Sequence, residues 1–263
     1  MGQLILCMLV ALPIVGQSLA PRVALDADGA VAMTLYRGRP LFVNGLLTHS
    51  QRAEATPAIV LSPKDTGWMD ALKLTTFGSD GQEQNWPLMA LGTAESKTIT
   101  LPPKGIVRLS WMLPSSATAE LATGTYVLIL ALSISDSPGW NGTVSSGQVT
   151  VQVEDEPADI SADDRRRLGL LRAREAQVTG SAEEKVILAR LFKEWPQDVG
   201  VLTAMALSMD RDGAPAGLSL VFVQAAVEVY LKSGSVHAPV GLMELRNRLE
   251  AQEAAVTPEG VKK

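Results

Sequence analysis

The sequence predicts an all-β region followed by an all-α region, and three observations carry that prediction. The spacing of apolar residues changes near position 154 from a period of about 2 to a period of about 3.6, the difference between strands and helices. Charge changes with it: residues 21–153 hold nine Lys/Arg and ten Asp/Glu, whereas 154–263 hold fourteen and eighteen. At the change stands Glu154-Asp155-Glu156-Pro157, an acidic, proline-containing run of the kind that joins domains.

The chain opens with an apolar run, LILCMLVALPIV at 4–15, followed by Gly16, Gln17, Ser18 and Ala20. That length suits the core of a signal peptide and falls short of the roughly 20 apolar residues that a spanning helix needs. The expectation is a leader over 1–20 and an exported protein, periplasmic or extracellular and bacterial, with no membrane insertion after leader removal. Removal takes away Cys7, the only cysteine, and with it any disulfide or thiolate metal site. A net charge of −5 gives no reason to expect nucleic acid, and two histidines, His49 and His237, exclude a multi-histidine metal centre. No metal or cofactor is expected.

After the leader, segments 31–37, 41–47, 58–61, 71–77, 97–101, 106–113, 125–134 and 147–153 are short and rich in β-branched and apolar residues. Turn sequences such as Asp28-Gly29, Asn44-Gly45 and Ser79-Asp80-Gly81 punctuate the region. Strands at such intervals predict an antiparallel β-sandwich over 21–153. In 125–134 the two-residue period puts Tyr126, Leu128, Leu130, Leu132 and Ile134 on one face, toward a core.

The stretch Leu121-Ala122-Thr123-Gly124-Thr125-Tyr126 resembles the entry to a late central strand in immunoglobulin-like and fibronectin-like sandwiches. The resemblance implies a corner role for Tyr126, its hydroxyl bonding to backbone while its ring packs inward. Two features depart from the pattern. Ala122 stands where an acidic residue is usual, and Leu128 where antibody-type domains carry a cysteine.

Residues 154–160 read as an acidic linker and 161–256 as helical, with a flexible tail at 257–263. Helices are expected over 162–179, 182–195, 199–211, 214–232 and 239–255, stopped by Gly180, Pro196, Gly213 and Gly234. Ser161 is placed to cap the first, and Ser181 with Glu184 forms a capping box for the second. Val186, Leu188, Ala189, Leu191 and Phe192 supply the inward face of the second helix; Leu218, Val221, Phe222, Ala225 and Val229 supply that of the fourth. In 199–232 the positions of Leu202, Ala206, Gly213, Phe222 and Ala225 resemble a tetratricopeptide repeat, which implies a short array of stacked helix pairs.

Few residues suggest chemistry. Asp26-Ala27-Asp28-Gly29 has the alternating carboxylates of a calcium loop but lacks a closing bidentate acid, and reads as a surface turn before the first strand. His49 beside Ser50, and Ser235 near His237, lack the glycine-flanked elbow of a nucleophile. The pattern points to a non-catalytic protein–protein interaction or envelope assembly adaptor. Its partner, another envelope protein or peptide, is expected at a concave helical face near Leu202, Met205, Met209 and Arg211. The alternative is a carbohydrate-binding module that uses Trp68 and Trp140 as exposed platforms.

Overall fold

A computed structural model describes residues 19–51, 56–63, 67–91, 98–135, 137–233 and 241–256. The leader expected over 1–20 lies outside them apart from Leu19 and Ala20, as do the tail at 257–263 and the Ser235/His237 pair. In chain order the first part comprises β1 (Pro21–Ala27), β2 (Ala32–Tyr36), β3 (Leu41–His49), β4 (Ile59–Leu61), the one-turn helix α1 (Gly67–Ala71), β5 (Leu72–Phe77), β6 (Glu83–Gln84) and β7 (Met89–Leu91). It continues through β8 (Ile99–Leu101), β9 (Ile106–Leu113), a second short helix α2 (Ser115–Ala119), β10 (Gly124–Ile134), β11 (Gly142–Ser145) and β12 (Val149–Glu154). Five helices follow: α3 (Ala162–Thr179), α4 (Glu183–Glu194), α5 (Val199–Arg211), α6 (Ala216–Lys232) and α7 (Leu242–Val256).

The strands form a sheet ordered β1-β3-β9-β7, a second ordered β2-β12-β10-β5-β6 with β11 also on β10, and a small β4-β8 pair. Leu25 of β1, Val43 of β3 and Leu113 of β9 share one apolar cluster with Leu128 and Leu130 of β10 and Val151 of β12, so the two larger sheets enclose a common core. The face predicted for β10 is the buried one: Leu128, Leu130, Leu132 and Ile134 are buried and Tyr126 is half-buried.

Several elements depart from expectation. Pro21–Ala27 is a strand rather than lead-in to a turn, because it pairs along its whole length with β3, Pro21 opposite His49 and Ala27 opposite Val43. Proline is tolerated there because it begins a strand at a sheet edge. The pairing is not wholly antiparallel: β2 runs parallel to β12, with Ala32 opposite Thr150 and Tyr36 opposite Glu154. Strands β6, β7 and β11 and helices α1 and α2 are two to five residues long, too short for a hydrophobic period to show.

Helix positions follow the sequence closely because their stops are local. Ser161 Oγ accepts a hydrogen bond from the Asp164 amide at 3.0 Å, capping α3. Gly180 ends it in the left-handed conformation at φ 69°. The capping box expected for α4 does not form. Ser181 Oγ accepts from the Glu183 amide at 3.2 Å, while the Glu184 carboxylate turns away to Arg211 at 2.5 Å. At α5 the cap is Asp198, whose Oδ1 accepts from the Val201 amide at 2.9 Å.

The helices hold two apolar clusters of their own, one around Leu188, Leu191 and Val201 and one around Leu202, Val223, Leu242 and Leu249. Neither includes a residue of the sheets. The junction is polar instead. Arg37 Nη1 pairs with Asp155 at 3.0 Å and Arg39 Nη2 with Glu156 at 2.7 Å, so the acidic segment after β12 is pinned to the β2–β3 turn. The Arg174 guanidinium of α3 lies 3.9 Å above the Phe42 ring. Glu175 Oε1 accepts from the Ser115 amide at 2.6 Å.

Candidate functional site

Of the two Ser/His pairs weighed against a nucleophile elbow, His49 and Ser50 fall among the described residues. His49 is buried at the end of β3. Its Nε2 donates to the Pro57 carbonyl at 3.0 Å and its Nδ1 accepts from the Gln51 amide at 2.9 Å. Both ring nitrogens are thus engaged by backbone. Ser50 Oγ is buried without a hydrogen-bond partner among the described residues. The Ser235/His237 pair lies outside the described residues.

The Asp26–Gly29 turn is built as an Asx turn. Asp26 Oδ1 accepts from the Gly29 amide at 2.8 Å and from Asn44 Nδ2 at 2.9 Å. Asp28 adopts a positive φ of 48° and faces the helical half. It lines a groove of about 350 Å³ between the β2–β3 region and α3, with Tyr36, Arg39, Asp164, Arg167 and Leu171. Burial pushes its carboxyl up from 3.8 to about 6, against the opposing pull of Arg174 and then Arg167. No group of three or more His, Cys, Asp or Glu side chains placed to hold a metal occurs among the described residues.

The tryptophans are largely inside. Trp68 and Trp140, the expected sugar platforms, are both half-buried against the cluster of Leu47, Leu61, Leu101 and Leu132. Trp86 is buried, its ring centroid 5.1 Å from that of Tyr126. The Tyr126 hydroxyl donates to the Ala122 carbonyl at 2.9 Å, the corner bond that the immunoglobulin-like resemblance implied.

The four residues proposed for a partner surface do not form one. Leu202 is 3% exposed, inside the α5–α6–α7 core. Met205 packs on the neighbouring cluster around Leu188 and Val201. Met209 is half-buried, and Arg211 binds the Glu184 carboxylate. The reason lies in helix phase: the α5 face bearing Leu202 and Ala206 is the one that α6 and α7 cover.

Exposed apolar side chains lie elsewhere, and among them Leu218, Val221 and Val186 were expected to be core. In α6 the buried positions are Ser219, Leu220, Val223, Ala226 and Val227, while Leu218, Val221 and Leu231 are 53%, 61% and 70% exposed. Val186 of α4 is turned outward as well. The sequence signal for this surface was available in α6, whose run LSLVFVQAAVEVYL is apolar on nearly every side. A helix of that composition suits burial all round, yet among the described helices α5 and α7 supply most of its cover, with Phe192 of α4 adding a ring contact to Phe222 at 5.5 Å between centroids.

No family model matches the chain, and no curated protein matches it. Among solved structures it is similar to the major subunit of aggregative adherence fimbriae type I from Escherichia coli, at 14% identity over 51% of this chain and 96% of that one, with a TM-score of 0.32. It is similar also to a Salmonella enterica SafA pilin in complex with the SafB chaperone (8% identity, 54% of this chain, 59% of that chain, TM-score 0.29) and to the E. coli chaperone DraB (11%, 54%, 59%, TM-score 0.28).

Proposed function

We propose that this chain is an exported, non-catalytic adaptor in which an immunoglobulin-like sandwich carries a short tetratricopeptide-like array that binds a partner protein of the envelope. The sandwich reading is supported by the shared core of the two sheets, by the Tyr126–Ala122 bond and by the last strand's parallel pairing with β2. The array reading is supported by the close packing of α3 on α4, of α5 on α6 and of α7 on α6.

The observation that carries the function is the outward face of α6. Leu218 and Val221 stand three residues apart, one turn of exposed apolar surface on a helix otherwise composed for an interior, and Leu231 is exposed further on, past Gln224 and Glu228. A protein surface over that face completes the burial that its composition calls for.

The test is co-purification from envelope extract with the full chain and with Leu218→Glu/Val221→Glu. Both substitutions fall on exposed positions, so folding should persist, checked by circular dichroism. Specific partners recovered with the wild type and lost with the variant support the adaptor reading. Identical recovery with both proteins refutes it.

A further inference from the structure

We propose that a second, separate site lies in the groove between α3 and the end of α4, and that it takes an acidic peptide segment anchored by one apolar side chain. The proposal rests on the adaptor reading for its biological setting but on different residues for its chemistry.

The groove encloses about 370 Å³, within the usual range for small-ligand and side-chain pockets. Its floor is apolar: Leu168 and Leu191 are buried beneath it. Gly169 lets the two helices meet, since a Cβ built there would fall 2.5 Å from Leu191 Cδ2. The half-buried Trp195 forms one wall, a flat amphipathic surface of the kind enriched at binding sites.

The rim is cationic. Arg165 and Arg172 stand seven residues apart on one face of α3, about 10 Å along the helix axis. Arg190 faces them from α4. Arg165 donates one bond to the Ile160 carbonyl, whereas Arg172 and Arg190 have no ion pair or hydrogen bond among the described residues. Glu194 is the one carboxylate lining this groove.

That local excess of positive charge stands on a chain whose net charge is −5. It contrasts with the neighbouring Arg166, which is held by both Asp163 and Asp198. Unpaired guanidinium groups around an apolar floor complement a ligand with carboxylates around one hydrophobic side chain. A purely apolar helix would leave the rim unsatisfied, and a basic segment would be repelled.

The test uses the full chain and a fluorescein-labelled peptide of glutamates flanking one leucine, followed by anisotropy and by Trp195 emission. Emission is assigned by comparison with Trp195→Phe. The wild type should bind with an affinity that falls as salt rises. Arg172→Glu/Arg190→Glu, both at exposed positions, should weaken binding by about tenfold or more with an unchanged melting curve. A lysine-for-glutamate version of the peptide should not bind.

Equal binding by the double variant, no binding by the wild type, or equal binding of the basic peptide overturns the proposal. Concentration-dependent self-association abolished by Arg172→Glu/Arg190→Glu would make a second copy the occupant and overturn it too. The two readings fail separately. Partner capture that is sensitive to Leu218→Glu/Val221→Glu, without peptide binding, removes only the groove. Peptide binding without such capture removes only the α6 surface.

Discussion

At the scale of single residues, Asp28 shows how a fold places a charge against its preference. Burial at the sheet–helix junction raises its carboxyl to about 6, although Arg174 and Arg167 lie near enough to oppose the shift. A raised pKa means that the folded chain holds this proton more tightly than the unfolded chain does. The stability it contributes is therefore full below the unfolded value and is lost as pH rises toward about 6. Asp28→Asn keeps a residue that tolerates positive φ and removes the buried charge. The variant should be more stable than wild type at pH 7 by about 1–2 kcal/mol, and its midpoint should vary less between pH 4 and 6. Denaturant titrations across that range check both points, and a variant less stable at pH 7 would contradict them. Nothing local announced this behaviour. Asp28-Gly29 reads as an ordinary surface turn, and the helix that buries it lies more than 130 residues further on.

At the scale of elements, helix ends were legible and helix faces only in part. The spans of α3 and α5 match the expected ones because capping residues and stop glycines act within a few positions of the end they define. Which side turns inward depends on a periodic contrast between apolar and polar residues. The α6 sequence, apolar on most sides, has almost no contrast, and the expected face is met in part: Phe222, Ala225 and Val229 pack on the core, whereas Leu218 and Val221 are exposed and Leu220 and Val223 buried. Where a neighbour's surface sets the limit, one atom decides. In α3, Gly169→Ala gains about 1 kcal/mol of helix propensity. The new methyl group would lie 2.5 Å from Leu191 Cδ2, and Leu191 is 2% exposed and enclosed by its cluster. Overpacking at such a site costs about 1–3 kcal/mol, so we expect a net loss of up to about 2 kcal/mol, with the α3–α4 contact loosened. Thermal melts of the variant measure the sign, and a raised midpoint would show that Leu191 yields freely.

At the scale of the whole molecule, sheets and helices hold separate cores and meet through a polar seam. The seam comprises the Arg37–Asp155 and Arg39–Glu156 pairs, the Arg174–Phe42 stack and the Glu175–Ser115 bond. Two of its cations, Arg37 and Arg39, lie more than 100 residues from the acids that they bind. If the seam couples the two halves, the wild type should melt in one transition, and Arg174→Ala/Glu175→Ala should split it in two. Calorimetry distinguishes these outcomes; a single transition in the double variant would mean that the linker pairs suffice.

The sequence by itself determined the succession of a β region and a helical region, the core face of β10 and most of the inward residues of α4, since each follows from spacing within a few residues, and the resemblance at Leu121–Tyr126 implied the corner bond. Only the tertiary structure decided the short strands and helices, the parallel closure of β2 on β12, the outward turn of Val186, Leu218 and Val221 and the pinning of the acidic segment. Those outcomes are set by contact with distant parts of the chain, and no local pattern encodes which distant surface will arrive.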